Sequence, residues 1–97
     1  MAISESESKA VSFPLGRIVM TAGAVERLSF SSIATALLRH ARADWGDVND
    51  ASRRENERGL KYGMSLLSVY RDWHGIAFWV MTEADRSATT VLLPDDY

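Results

Sequence analysis

Gly75-Ile-Ala-Phe-Trp-Val-Met-Thr-Glu-Ala-Asp-Arg-Ser-Ala-Thr-Thr-Val-Leu-Leu-Pro-Asp-Asp-Tyr97 is the stretch that decides the fold. Two runs of apolar, β-branched and aromatic residues flank the polar insert Glu83-Ala-Asp-Arg-Ser87, the pattern of a β-hairpin with a charged tip. Immediately upstream, Ser65-Leu-Leu-Ser-Val-Tyr-Arg71 is a third such run, joined to the second by Asp72-Trp-His-Gly75. Loops this short permit only antiparallel pairing, so strands are predicted at 65–71, 76–82 and 88–93, the last closed by Pro94. In the middle strand both alternating sets are apolar: Ile76, Phe78 and Val80 on one side, Ala77, Trp79 and Met81 on the other. That predicts a central strand covered on both faces, with Trp79 in the core.

Upstream of Gly63 the period changes from two to 3.6. Asn49 or Asp50 is expected to cap a helix from Ala51 to Tyr62 that Gly63 ends. Its residues are mostly charged, leaving a narrow seam of Ala51, Asn56 and Leu60 to be buried. Before it, Ile33, Leu37, Leu38 and Ala41 form the apolar stripe of a helix capped by Ser31 or Ser32. Asp44-Trp-Gly-Asp47 breaks that helix, with Trp45 as a lid over it. Thr21 caps a short helix through Leu28, with Val25 and Leu28 facing inward, and Arg17-Ile-Val-Met20 is a short β-favouring run. Residues 1–11 are serine-rich and poor in apolar surface, which reads as a flexible tail. The expected architecture is one small α+β domain over residues 12–97, with an antiparallel three- to four-stranded sheet packed against two or three short helices.

Composition narrows the function classes. Eleven basic and 13 acidic side chains give a net charge of −2, too balanced for a non-specific nucleic-acid binder or for a carboxylate-coated mimic of DNA. There is no cysteine, which excludes disulfides, thiolate catalysis and cysteine-based zinc sites. No apolar segment has the length of a signal peptide core or a membrane span, so the expected location is the cytoplasm. No nucleophile–base pair, metal framework or phosphate loop stands out, and the pattern calls for no cofactor and no metal.

Four groups of residues are candidates for chemistry. Glu83, Asp85, Arg86 and Ser87 share one turn. They form either a polar recognition surface or an acid/base pair, or else Asp85 organises the turn and Arg86 pairs with Glu83 or the C-terminal acids. His40, Asp44 and Asp47 offer oxygen and nitrogen ligands, with His40 and Asp44 at i, i+4. The structural alternative places His40 against the helix dipole and the aspartates in caps. Arg53, Arg54, Arg58 and Lys61 give the charged helix a basic stripe suited to phosphate, although Glu55 and Glu57 interrupt it and Glu57 is spaced to pair with Lys61. His74 lies in the loop before Gly75 and reads as solvated. Trp73, in the same loop, is either packed or an exposed contact residue.

Arg17-Ile-Val-Met-Thr21, Asp44-Trp-Gly-Asp47, Glu55-Asn-Glu57, Leu66-Leu-Ser-Val-Tyr70 and the ending from Phe78 to Tyr97 together resemble one family. It comprises small proteobacterial proteins labelled plasmid-related and carried on mobile elements. The resemblance covers residues 13–97, and Thr82-Glu-Ala-Asp-Arg-Ser-Ala-Thr-Thr-Val-Leu-Leu-Pro94 is its most specific part. Some members carry a label as the methyltransferase subunit of a type I restriction system. That label does not suit this chain, which is too short and lacks both a glycine-rich cofactor loop and an Asn-Pro-Pro-Tyr motif. The resemblance implies a setting, plasmids and integrated elements, and implies no catalytic residues.

The expected function is accordingly that of a non-enzymatic binding protein of a mobile element, an inhibitor of host restriction or CRISPR machinery. Its expected contact surface is Glu83, Asp85, Arg86 and Ser87 with Trp73 and the C-terminal Asp95, Asp96 and Tyr97. The alternatives are a small hydrolase or nucleotide-modifying enzyme using Glu83, Asp85 and Arg86, and a nucleic-acid accessory protein using Arg53, Arg54, Arg58 and Lys61.

Overall fold

The computed structural model describes residues 11–97; apart from Val11, the tail expected over 1–11 lies outside the described residues. The chain runs β1 (Arg17–Met20), α1 (Ala22–Arg27), α2 (Phe30–Ala41), α3 (Asp50–Tyr62), β2 (Leu66–Arg71), β3 (Ala77–Thr82) and β4 (Ala88–Leu92), then one 3-10 turn over Pro94–Asp96. The fold is α+β. β2, β3 and β4 form the expected antiparallel meander, and β1 adds to it on the far side of β4. That fourth strand runs parallel to β4, with Arg17 beside Ala88 and Met20 beside Val91, so the sheet is mixed. The three helices between β1 and β2 return the chain to the starting end of the sheet, and the meander then brings β4 beside β1 in the same direction. No helix of the described residues is long and apolar enough to cross a membrane.

Caps fix the helix boundaries. The Thr21 side chain accepts the Ala24 N–H, the Asn49 side chain accepts the Ser52 N–H, and Gly63 ends α3 in the left-handed region. α2 starts earlier than its serines suggest: Ser29, not Ser31 or Ser32, is the cap and accepts the Ser32 N–H. The inward faces also shift. In α1 Ala24 and Leu28 are buried while Val25 is exposed; in α2 Leu38 is exposed and Ala36 and His40 turn inward; in α3 Asn56 and Gly59 are buried and Ala51 is not.

α1 and α2 cover one face of the sheet around a core of Ala24, Leu28, Ile33, Ala36, Tyr70, Phe78, Val80, Val91 and Leu93. α3 instead lies along the β2 edge, where Gly59 permits the approach: a Cβ there would meet the Leu66 side chain and the Ser65 carbonyl oxygen. Phe13, Trp45 and Leu66 form a second cluster under the loop after α2, with Trp45 as the expected lid.

β3 corrects the sequence reading. Phe78, Val80 and Thr82 face the helices and are buried, whereas Ala77, Trp79 and Met81 lie half-buried on the other face. Among the described residues no helix packs over that face, although Ser52, Glu55 and Asn56 of α3 flank a cleft that Trp79 and Met81 line. The Tyr97 ring lies against Trp79, edge to face with centroids 5.5 Å apart. Because both sets of β3 are apolar, alternation carried no information about which one faces the helices.

Trp79→Ala should therefore lower stability by only about 1–2 kcal/mol, whereas Phe78→Ala should cost about 3–5 kcal/mol, the range for emptying a buried aromatic site. Denaturant unfolding of the two variants measures both, and equal losses would contradict this facing.

Candidate binding surface

The proposed metal ligands do not converge. α2 ends at Ala41 and Ala43 turns with φ of 63°, so the helical spacing that would align Asp44 with His40 is broken. Asp44 instead forms a bidentate pair with Arg39, at 2.7 and 3.1 Å, and Asp47 approaches Arg71 at 3.8 Å. Among the described residues no three His, Asp or Glu side chains are placed to share a metal ion.

His40 is wholly buried, and its environment differs from the dipole-paired histidine expected at a helix end. Its Nδ1 lies 2.5 Å from Ser68 Oγ and its Nε2 lies 2.8 Å from Thr82 Oγ1. Thr82 Oγ1 is 2.7 Å from Thr89 Oγ1, which donates to the Leu15 carbonyl oxygen at 2.7 Å. That carbonyl can only accept, so the direction of the whole chain follows. Thr89 donates to Leu15, Thr82 donates to Thr89, His40 Nε2–H donates to Thr82, and Ser68 O–H donates to Nδ1. Phe13 and Trp45 stand at the imidazole ring with centroids 5.2 and 5.7 Å away. Burial, followed by the nearby Arg86 guanidinium, pushes the imidazole down to about 4, and it is neutral. The Ser68–His40 pair has a hydrogen-bonded nucleophile–base geometry, but both residues are shut away from substrate.

The hairpin tip is largely consumed by its own architecture. Asp85 Oδ1 accepts the Ser87 N–H at 3.0 Å, and this bond together with the Ser87 hydroxyl holds the carboxyl below its usual range. Arg86 has φ of 62° and turns back across α3. It donates to the carbonyl oxygens of Met64 at 2.6 Å, Gly59 at 3.0 Å, and Glu83 and Ala84 at 3.2 Å each, with its guanidinium 5.6 Å from the Phe13 ring centre. It thus ties the C-terminal end of α3 to the β3–β4 turn, rather than pairing with Glu83 or the C-terminal acids. Asp96 is occupied as well: it accepts from the Thr21 hydroxyl at 2.6 Å and the Leu93 N–H at 3.1 Å, which lower its pKa. Glu83, Asp95 and Tyr97 remain exposed.

The expected contact residues therefore do not form one surface. Trp73 stands in the β2–β3 loop and residues 83–87 in the β3–β4 loop, at opposite ends of β3. Six strand residues separate these ends by about 20 Å. Tyr97 occupies a third place, the open face of the sheet.

What the β2–β3 end does build is a cleft of about 460 Å³ between α2 and the sheet, lined by Ser31, Ser32, Thr35, Arg39, Tyr70, Arg71, Trp73 and Phe78. Its wall is Trp73, 74% exposed yet fixed in place. The indole Nε1 donates to Ser29 Oγ at 3.0 Å and the ring stacks on His74 at 4.4 Å. The loop itself is closed by Asp72, whose buried carboxylate accepts the Ser29 N–H at 3.0 Å and the His74 N–H at 2.7 Å. Those two bonds hold it at about 2, below the ordinary 3.8. The rim charges are balanced by the Arg39–Asp44 and Arg71–Asp47 pairs.

The basic stripe of α3 is exposed but partly committed. Arg58 pairs with Glu55 at 3.2 Å, and Lys61 lies over the Tyr62 ring. Glu57, spaced to pair with Lys61, accepts the Trp45 Nε1–H at 3.0 Å.

Searches of protein-family models, of curated proteins and of solved structures each find no match to this chain.

Stability against pH, titration of the His40 ring and thermal melts of variants check these assignments. The depressed imidazole means that the unfolded chain, with His40 near 6.5, takes up a proton before the folded one does. Stability should fall by about 3 kcal/mol as pH drops from 6.5 to 4. A second loss should follow from about 3.8 to 2 as Asp72 protonates, and Asp72→Asn should remove it. A proton resonance of the His40 ring titrating near 6.5 would refute the sealed network. Separately, Arg86→Ala should destabilise by about 2–3 kcal/mol, and Glu83→Arg should stay within about 0.5 kcal/mol in the same thermal melts.

Proposed function

We propose that the chain is a non-enzymatic binding protein, that its partner is another protein, and that the partner docks over Trp73 and the cleft beneath it. One observation carries this reading: a tryptophan is held rigid while three-quarters exposed. Leaving so much apolar ring in water stabilises nothing in the monomer, whereas burying it against a partner gains both area and preorganisation. An aromatic centre with a neutral, hydrogen-bonding rim of Ser31, Ser32, Thr35, Arg39 and Arg71 has the build of a protein–protein hot spot. The mobile-element setting rests on the family resemblance, which favours a component of restriction or CRISPR machinery in the cytoplasm as the partner.

The two other readings have weaker support. A hydrolase built on Glu83, Asp85 and Arg86 would need groups that the turn and α3 already use. A nucleic-acid contact through Arg53, Arg54, Arg58 and Lys61 would rest on a stripe interrupted by the Glu55–Arg58 pair.

Affinity purification from the host identifies the partner, and titration then measures it. Trp73→Ala should weaken binding by about 2 kcal/mol or more while the melting temperature stays near that of the wild type. Expression of the wild type should raise phage plating on a restricting or CRISPR-immune host, and the variant should not. Unchanged affinity in Trp73→Ala would move the contact surface elsewhere.

A further inference from the structure

The two edges of the sheet are treated differently. β2 is sealed along its outer side: Leu67 N–H donates to Asn56 Oδ1 at 3.0 Å, and Asn56 Nδ2 donates to the Leu67 carbonyl oxygen at 2.7 Å. Val69 N–H donates to the Trp45 carbonyl at 3.1 Å and its own carbonyl accepts the Asp47 N–H at 2.7 Å. Among the described residues β1 has no such cover. Arg17 and Thr21 direct their N–H groups to β4, at Ser87 and Val91, so the alternating backbone groups of Ile18 and Met20 face away from the sheet. Among the described residues nothing bonds them. The side chains of Ile18 and Met20 are 38% and 37% exposed, and an apolar groove of about 500 Å³ lined by Val11, Leu15, Ile18, Leu37 and Leu38 runs beside them.

A bare edge with exposed apolar side chains is a site for strand addition. We propose that its occupant is a second copy of this chain, with β1 paired antiparallel to β1 across a two-fold axis at Val19. This register sets Ile18 against Met20 of the other copy and Met20 against its Ile18, so the outward N–H and C=O groups form four hydrogen bonds. Both members of each pair lie on the helix-covered face and are apolar. On the other face, Arg17 comes opposite Thr21 of the other copy, whose hydroxyl holds the Asp96 carboxylate at 2.6 Å. Arg17 is exposed and has no ion pair among the described residues. The two-fold therefore matches apolar to apolar and places a free cation against a fixed anion, twice. That self-complementarity favours a second copy over an unrelated strand. The product is one eight-stranded sheet with Trp73 free at its ends, because β4 and β3 stand between β1 and that loop.

Sedimentation equilibrium of the full chain across a wide concentration range should show monomer and dimer, and hydrogen exchange should show the Ile18 and Met20 amides protected only where the dimer forms. Arg17→Glu, a change at an exposed side chain, should weaken association about tenfold or more. Met20→Pro, which removes an outward donor and leaves the β4 ladder intact, should do the same. Trp73→Ala should leave the dimer untouched, so this pairing and the binding surface fail separately. A chain that stays monomeric throughout overturns the proposal. So does a dimer indifferent to both β1 variants. Amide protection that is independent of concentration and vanishes on deleting residues 1–10 also overturns it, since the occupant would then be the chain's own N-terminal segment.

Discussion

The neutral imidazole of His40 is the constraint on which the rest of the structure depends. Its two nitrogens and three hydroxyls connect α2 to β2, β3 and β4, and the last link reaches the segment that leads into β1. Each buried hydroxyl in this chain would cost about 1–3 kcal/mol if left without a partner. The network is tolerable because it is complete, and a complete network admits one arrangement only. Ser68, Thr82 and Thr89 therefore act as alignment marks: a slip of any strand by one residue would strand a polar group among apolar ones. Phe13 and Trp45 close the sides of the ring, which explains why the segment before β1 and the loop after α2 meet.

The same logic accounts for α3, a helix with little apolar surface. Apart from Leu60, which packs on the cluster of Phe13, Trp45 and Leu66, its attachment is made by specific polar contacts. Asn56 grips the backbone of Leu67 with both its amide groups, Glu57 holds the indole of Trp45, and Arg86 ties the Gly59 carbonyl to the far hairpin. The helix thereby serves as a cover for an edge strand. Where a strand has no such helix, as at β1, the edge stays open.

Short-range signals locate most of the elements. The change of period at Gly63, the Asn49 and Thr21 caps, and the alternation in β2 and β4 all reflect short-range physics, and the structure follows them. What was illegible depended on contacts distant in sequence. β1 pairs with β4 across some seventy residues, from Arg17 to Ala88, and nothing in four residues announces a parallel partner. The Ser29 cap was hidden by two more serines nearby. His40 read as a terminal histidine because its partners lie 28 and 42 residues away. One signal was present: Ser68, Thr82 and Thr89 are polar residues in strands, and the register sets Thr82 beside Thr89. Polar residues meeting across a sheet ask for a shared partner, and a histidine on the covering helix supplies it.

The charged tip drew attention because charge at a turn commonly means recognition, yet in a domain this small most charged groups are needed to hold the fold. Asp85 shapes its turn, Arg86 ties the hairpin to α3, and Asp72 and Asp96 each tie a loop to a helix start. Once those are assigned, Trp73 stands out as a large exposed ring that is held in place by a hydrogen bond. Its hydrogen bond to Ser29 and its stack on His74 cost conformational freedom and return little to the fold, because the ring stays in water. Ordering an exposed aromatic before a partner arrives is worthwhile only when the entropy so removed is no longer lost on docking. Around it Arg39 and Arg71 are already neutralised by Asp44 and Asp47, so the rim offers hydrogen bonds without a net field. On the proposed binding role, such a surface would select its partner by the shape that fits over the indole and leave long-range charge little part in the choice.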